Sequence, residues 1–407
     1  VNQKLSLSKS VIASLVVRQQ TQQWESFVVS MLKRLELDAS ELARAKAHYD
    51  ILAQQLARKL DIADTDVHIV VQGSMRTQTT ISPRGNAKFD LDIVVKLTGG
   101  LFDGTDSETF FARFGEALTG LNDSAGEPKP KPRCWRLEYT GEPFYFDVTP
   151  ALPGSQLITG TDLRVRDPKT KWSPSNPEEF ADWFCHIADL RFGFERRVMK
   201  GFALDHAQID PIPSAPVEID DVLRRTVQLI KLHRDNYYYG ASISRERKEA
   251  KPISVILVTL ATHAYQDLWM KDKSAFASPI ELVLEIVDQL PHRIERANGK
   301  FRVANPALTR ENFAERWNED GGLRAKEFQS WHTQLTGDLE LLFNEDYDSK
   351  SEQRIRSVFG QHGVDSWKAS RATPAAGVLA GLRATAPAQP RSNPSSPMPV
   401  GSKNTLA

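Results

Sequence analysis

Asp90-Leu91-Asp92 interrupts the apolar run from Phe89 to Val95, and it constrains the fold more than any other stretch. In an extended strand, residues two apart share a face. Phe89, Leu91 and Ile93 then point into a core while both carboxylates point away from it. Neighbouring carboxylates raise each other's pKa unless something neutralises them. A divalent cation does this well, and hard oxygen donors suit Mg²⁺, with Mn²⁺ as an alternative. Local periodicity alone fits a strand with two solvated acids better than a metal site.

Two further features shift the balance toward a site. Gly73-Ser74 directly follows the apolar stretch Val67–Val71. Glycine permits close backbone approach, and the serine adds a hydroxyl beside freed amides, a combination that can hold phosphate oxygens. Asp147 is the only acid in Phe144-Tyr145-Phe146-Asp147-Val148. Burying an unpaired carboxylate is costly, so Asp147 is either a surface residue on an edge strand or a third ligand.

The surrounding pattern predicts an α+β chain. Two helices are expected in the first 60 residues, the second opening on the capping box Asp38…Glu41. Strands are expected at 67–71, 89–95, 133–139 and 144–148, the last two forming a hairpin about Gly141-Glu142. A helix is expected over 106–121. Asn176-Pro177 starts a mostly helical remainder, with further helices near 218–236, 252–271, 279–289, 321–344 and 351–360. From residue 370 the chain is rich in Ala, Pro, Ser and Gly and reads as a disordered tail. The expected units are residues 1–165, 166–369 and 370–407.

The chain has 52 basic and 52 acidic residues among 407. This neutrality argues against coating a long nucleic acid. Two cysteines at no metal-ligand spacing argue against a disulfide or zinc framework and fit a reducing compartment. No apolar run reaches membrane-spanning length, so the expected location is cytoplasmic.

Gly73-Ser74, Asp90-Leu91-Asp92 and Asp147, in that order on successive strands, resemble the nucleotidyltransferase superfamily similar to DNA polymerase β. Pro83–Lys88 provides a loop for the slightly long spacing between Ser74 and Asp90. Val71-Gln72-Gly73-Ser74-Met75-Arg76-Thr77-Gln78-Thr79-Thr80-Ile81, Phe146–Ala151, Asn176–Phe184, Gln228–Asp235, Lys251–Ser254 and Glu311–Trp317 together resemble the cGAS/DncV-like nucleotidyltransferases, the CD-NTases of bacterial CBASS anti-phage defence. The resemblance spans about residues 10 to 360.

It implies a polymerase-β-like core with a mixed sheet, packed on a helical domain similar to that of oligoadenylate synthases. It implies two Mg²⁺ ions on Asp90, Asp92 and Asp147. Gln72, Gly73 and Ser74 would meet the donor triphosphate, joined by Lys231 and Ser254. The substrates would be nucleoside triphosphates, ATP or GTP foremost, and the product a cyclic di- or oligonucleotide. Some members of that family are joined through their C-terminus to other molecules by a ubiquitin-transfer-like partner, for which a segment ending in Thr405-Leu406-Ala407 would be accessible; an unstructured end with no role fits equally well. Other readings are a terminal transferase acting on RNA or protein and an inactive nucleotide-binding module. By periodicity, Lys231 lies at the edge of an apolar helix stripe, where its stem would also cover apolar surface. Ser254 could simply cap a helix.

Overall fold

The alternating run at residues 89–95 becomes the middle of a mixed sheet. A computed structural model describes residues 6–82, 88–121, 125–154, 161–194, 221–347 and 351–372. The first elements are helices α1 (Leu7–Val17), α2 (Thr21–Lys33) and α3 (Ala39–Leu60), strand β1 (Val67–Val71), the short α4 (Gly73–Arg76), β2 (Phe89–Leu97) and α5 (Ser107–Leu118). Strands β3 (Lys129–Pro130), β4 (Trp135–Glu138), β5 (Phe144–Pro153), β6 (Leu163–Asp167) and β7 (Lys171–Ser175) follow. Next come α6 (Pro177–Ala188), α7 (Val222–Tyr239), α8 (Arg245–Glu249), α9 (Ser254–Lys271) and α10 (Pro279–Gln289). The described chain ends with β8 (Glu295–Ala297), β9 (Lys300–Arg302), β10 (Ala304–Asn305), β11 (Leu308–Asn312), α11 (Leu323–Asn344) and α12 (Ser351–Ala372).

The sheet runs β1-β2-β5-β4-β3, with β6 on the far half of β5 and β7 beyond it. Among the described residues only the β2–β5 pairing is parallel; β1–β2, β4–β5 and β5–β6 are antiparallel. Phe89, Leu91 and Ile93 are buried as the alternation requires. They pack with Leu52 and Leu56 of α3 and Phe110 and Phe114 of α5.

A second apolar core joins α7, α9, α10, α11 and α12. Trp24, Phe27 and Met31 of α2 belong to it, as do Val11 and Leu15 of α1. By packing, the first two helices therefore side with the later helices rather than with the sheet.

Several expectations need correction. The leading residues form three helices rather than two. Gln19, with φ +54°, breaks the first predicted helix into α1 and α2. The stretch after residue 176 is less helical than its sequence suggests: the short hairpins β8–β9 and β10–β11 follow α10. Strands of two to five residues are too brief for alternation to stand out from the helical background. The expected helix at 351–360 ends at a non-helical Gly360 (φ +69°), and a second helical stretch follows it to Ala372, three residues into the expected tail. The rest of that tail, its Thr405-Leu406-Ala407 end and most of the Pro83–Lys88 loop lie outside the described residues.

The predicted hairpin is present, with Leu137 opposite Phe146. The two expected caps are present as well: Asp38 closes a capping box with Glu41, and the Asn176 side chain accepts the Glu179 amide at 3.2 Å. Among the described residues, no helix is long and apolar enough to cross a membrane.

Candidate active site

The parallel pairing of β2 with β5 sets Asp92 directly opposite Asp147. Asp90 is two residues back on the same face of β2. One oxygen from each carboxylate lies within 4.8 Å of the other two. Asp147 is buried, Asp92 is half-buried, and Asp90 opens into a cavity. Partial loss of hydration, together with the Asp147 charge, pushes the Asp90 carboxyl up to about 6. Burial, and then the charges of Asp90 and Asp147, push Asp92 up to about 8. Water still reaches Asp90, but the concave wall around it removes much of the solvation that an open strand face would keep. Three carboxylates that resist ionising together form the kind of oxygen-donor cluster that a hard divalent cation relieves.

One cation already answers part of this charge. Arg136 on β4 stands opposite Asp147 in the antiparallel register. Its Nε donates to Asp147 Oδ1 at 2.8 Å and its Nη2 to Oδ2 at 2.7 Å, a two-pronged pairing. The guanidinium also lies 3.8 Å from the centre of the Tyr145 ring. The Asp147 hydrogen bonds raise the Arg136 pKa still further above its ordinary value.

The turn after β1 sits against the carboxylates. Gln72 N–H donates to the Asp92 carbonyl at 3.0 Å, extending the β1–β2 ladder. Gly73 follows with φ +63°, and a Cβ there would lie 2.3 Å from Asp92 Oδ2. The glycine is thus required twice, for its left-handed backbone and for its closeness to the acid. Ser74 and Gln72 line the same cavity as Asp90 and Asp92.

The opposite wall comes from the helices. Lys231 on α7 is buried, and its Nζ donates to the Thr79 carbonyl at 2.8 Å. Burial and the nearby Arg234 lower its pKa to about 8, while Asp235, Asp92 and Asp90 pull the other way. Ser254 does not cap α9; Ile253 occupies the cap position, and the Ser254 hydroxyl accepts from Arg234 Nη1 at 3.0 Å. Lys231 and Ser254 line the cavity, whose volume is about 850 Å³.

Residues 22–187 match the family model described as Second Messenger Oligonucleotide or Dinucleotide Synthetase domain. A c-di-GMP synthase of Roseivirga ehrenbergii is 29% identical over 309 residues, covering 72% of this chain and 73% of that protein. The fold matches the CD-NTase CdnG of Bradyrhizobium diazoefficiens, solved with GTP, at TM-score 0.62 and 21% identity, over 84% of this chain and 97% of that one. It also matches Vibrio cholerae DncV, solved with the linear intermediate pppA(3′,5′)pG, at TM-score 0.55 and 15% identity, over 82% and 93%.

Residues 22–187 thus match a nucleotide-messenger synthetase domain, and the fold around them is that of the CD-NTases. The chain is a nucleotidyltransferase similar to enzymes that make cyclic-nucleotide messengers, and its Asp90, Asp92 and Asp147 could hold a metal ion.

The structure gathers seven of the eight residues named from sequence around one cavity. Asp147 is the exception: it lies beneath Arg136 and does not line the open volume. Arg136 was missed by sequence reasoning, although a signal for it existed. Once Leu137 is paired with Phe146 across the hairpin, Arg136 must face Asp147.

Glu311 and Phe313 were also given no role. Both line the cavity, Glu311 with its carboxyl raised by burial and held by Asn305 at 2.7 Å. Phe180 and Phe313 meet edge to face with ring centres 5.6 Å apart.

Two further polar clusters, the tyrosines at 237–239 and the basic residues Lys129 and Arg133, lie outside the cavity. Tyr238 is buried with its hydroxyl on Glu327, and none of Tyr237–Tyr239 lines the cavity. Lys129 pairs with Glu138, and Arg133 with Asp167.

Proposed function

We propose that this chain is a CD-NTase that condenses nucleoside triphosphates, ATP and GTP foremost, into a cyclic di- or oligonucleotide, releasing pyrophosphate. We place that activity in the cytoplasm and in anti-phage defence. The observation that carries the reading is the set of three carboxylates within 4.8 Å of one another, beside a glycine–serine turn and facing a buried lysine. A cavity of about 850 Å³ lies within the ordinary range for sites that enclose small ligands. The relatives solved with GTP support guanosine triphosphate as one substrate.

Asp90, Asp92 and Asp147 are assigned as ligands of two divalent ions, Mg²⁺ or Mn²⁺, which when bound activate a hydroxyl and neutralise triphosphate charge. An Asp147 oxygen released from Arg136 would orient the attacking hydroxyl and take up its proton. That oxygen bonds to the α-phosphorus as the bond to the leaving pyrophosphate breaks. Gln72 and the Ser74 hydroxyl hold the triphosphate, Gly73 lets it approach the backbone, and Ser254 adds a hydroxyl from the far wall. Lys231 has three N–H donors; one is on Thr79, leaving two for phosphate oxygens. Phe180 and Phe313 offer an apolar wall to a base. Along the chain, residues 1–165 carry the carboxylates and residues 166–369 the facing wall. Conjugation of the C-terminus to another molecule belongs to the same proposal and would appear as added mass on the chain.

The test is mass spectrometry of products from mixed ATP, GTP, CTP and UTP with Mg²⁺. Low-molecular-weight, phosphatase-resistant material is expected. Nucleotides added only to RNA or protein would replace cyclisation with terminal transfer. Triphosphate binding without pyrophosphate release under any divalent ion would leave a binding module.

A further inference from the structure

Helix α7 reaches the loop that follows the glycine–serine turn through three side chains on one stripe. Arg224 Nε donates to the Thr77 carbonyl at 3.0 Å, Gln228 Nε2 to that of Thr80 at 3.2 Å, and Lys231 Nζ to that of Thr79 at 2.8 Å. Positions 224, 228 and 231 share a helix face because they are spaced by four and three. All three side chains are buried. The loop they hold turns sharply, with Gln78 at φ +55°.

That loop is in turn tied to the turn itself. Thr77 Oγ1 donates to the Gly73 carbonyl at 3.1 Å, Thr79 N–H to the Ser74 carbonyl at 2.9 Å, and Thr80 Oγ1 to Ser74 Oγ at 3.3 Å. Gln228 extends the chain of contacts in the other direction. Its Nε2 also donates to Glu36 Oε1, just past α2, at 2.9 Å, and its Oε1 accepts from Arg225 Nη1 at 2.9 Å. Every donor and acceptor of this fully buried amide is therefore engaged, and no replacement reproduces the set.

We propose that Gln228, supported by Arg224, is a positioning residue for triphosphate binding. It sets Ser74 through Thr80 and ties that geometry to Glu36 beside the helical core. The inference rests on the reading of Ser74 as a triphosphate contact. Gln228 itself touches no substrate; it acts by fixing the loop whose threonines orient Ser74. Without its donor, the Thr80 carbonyl loses a buried partner and the loop is free to shift, which weakens ground-state binding more than it slows chemistry.

The test uses the full chain, α,β-methylene analogues of GTP and ATP with Mg²⁺, initial rates and thermal melting. Gln228→Met is expected to weaken analogue binding about tenfold and to raise KM more than it lowers kcat. Thr80→Val, which keeps the carbonyl but loses the bond to Ser74, is expected to weaken binding about threefold. The two changes together should weaken it less than their product, because both act through Ser74.

The exchange Glu36→Gln with Gln228→Glu separates positioning from mere stability. It keeps an amide–carboxylate pair between these positions but removes the donor to Thr80. Melting near the wild-type temperature with binding still weakened is the expected result. Affinity that recovers along with melting temperature would reduce Gln228 to a packing role and overturn the inference. Binding within twofold of wild type in both Gln228→Met and Thr80→Val would overturn it as well. A wild-type chain that binds neither analogue would overturn the assigned function, and this inference with it; the other two outcomes overturn this inference alone.

Discussion

The sheet wall and the helix wall of the cavity both bury charged groups, but they settle the cost differently. On the sheet, Asp90, Asp92 and Asp147 face one close guanidinium, that of Arg136, and the pKa values of Asp90 and Asp92 rise. On α7, Arg224, Gln228 and Lys231 are matched by three carbonyls of residues 77–80. Arg224 gains the Asp221 carboxylate as well. One wall is left electrostatically unsatisfied and the other is nearly complete. A site that must take up cations is built from the first kind of wall, and a scaffold that must hold its shape from the second.

The comparison fails most visibly if the unsatisfied wall proves dispensable. Asp90→Asn with Asp92→Asn should cut product formation by at least about a thousandfold while raising the melting temperature of the metal-free chain. Normal turnover, or a lower melting temperature, would show that the acids are not in conflict.

Gly73→Ala comes next. The methyl would meet Asp92 in a left-handed backbone, costing about 1–3 kcal/mol in denaturant unfolding, with a loss of turnover beyond what stability explains. Unchanged unfolding would mean the turn relaxes freely.

Lys231→Ala crosses from one wall to the other. It should raise KM about tenfold or more with a smaller change in kcat, and equal falls in kcat and kcat/KM would move its role to the transition state.

Arg136→Gln should tighten Mn²⁺ binding about tenfold, read by paramagnetic resonance, because both Asp147 oxygens are freed and a cation is removed. Weaker binding would recast Arg136 as the residue that holds Asp147 in place for the ion.

The smallest effect is on pH dependence. The folded-state value of Asp92, about 8, lies above its unfolded value near ~3.9. The folded chain therefore holds that proton more tightly, and metal-free stability should fall as pH rises from about 4 to about 8. Mg²⁺ should flatten the fall, and so should Asp92→Asn. A metal-free melting curve that rises over this range would reverse the assigned burial cost.

Much of this contrast was legible before any coordinates. Alternation alone placed Phe89, Leu91 and Ile93 inward and Asp90 and Asp92 on one face. Glycine chemistry marked Gly73, and the cap residues marked α3 and α6. Lys231 was placed by its spacing on a helix, although its partner, the Thr79 carbonyl, is 152 positions away. Arg136 was recoverable from hairpin register but went unread. Glu311 and Phe313 lay in a stretch that carries the family resemblance but were given no role, because a short strand pair after a helix carries little periodicity to place them. The break at Gln19 was hidden for a related reason: a single left-handed residue leaves the apolar spacing on either side intact.

Sequence by itself determined which side chains share a strand face, where helices begin, and which backbone position had to be glycine. These are local matters of stereochemistry and period. Only the tertiary structure decided that β5 runs parallel beside β2, bringing Asp147 level with Asp92 and placing Arg136 over it. It alone decided that α7 closes the loop at 77–80. Strand order and helix docking are set by how distant apolar surfaces bury one another, and no window of neighbouring residues contains that balance.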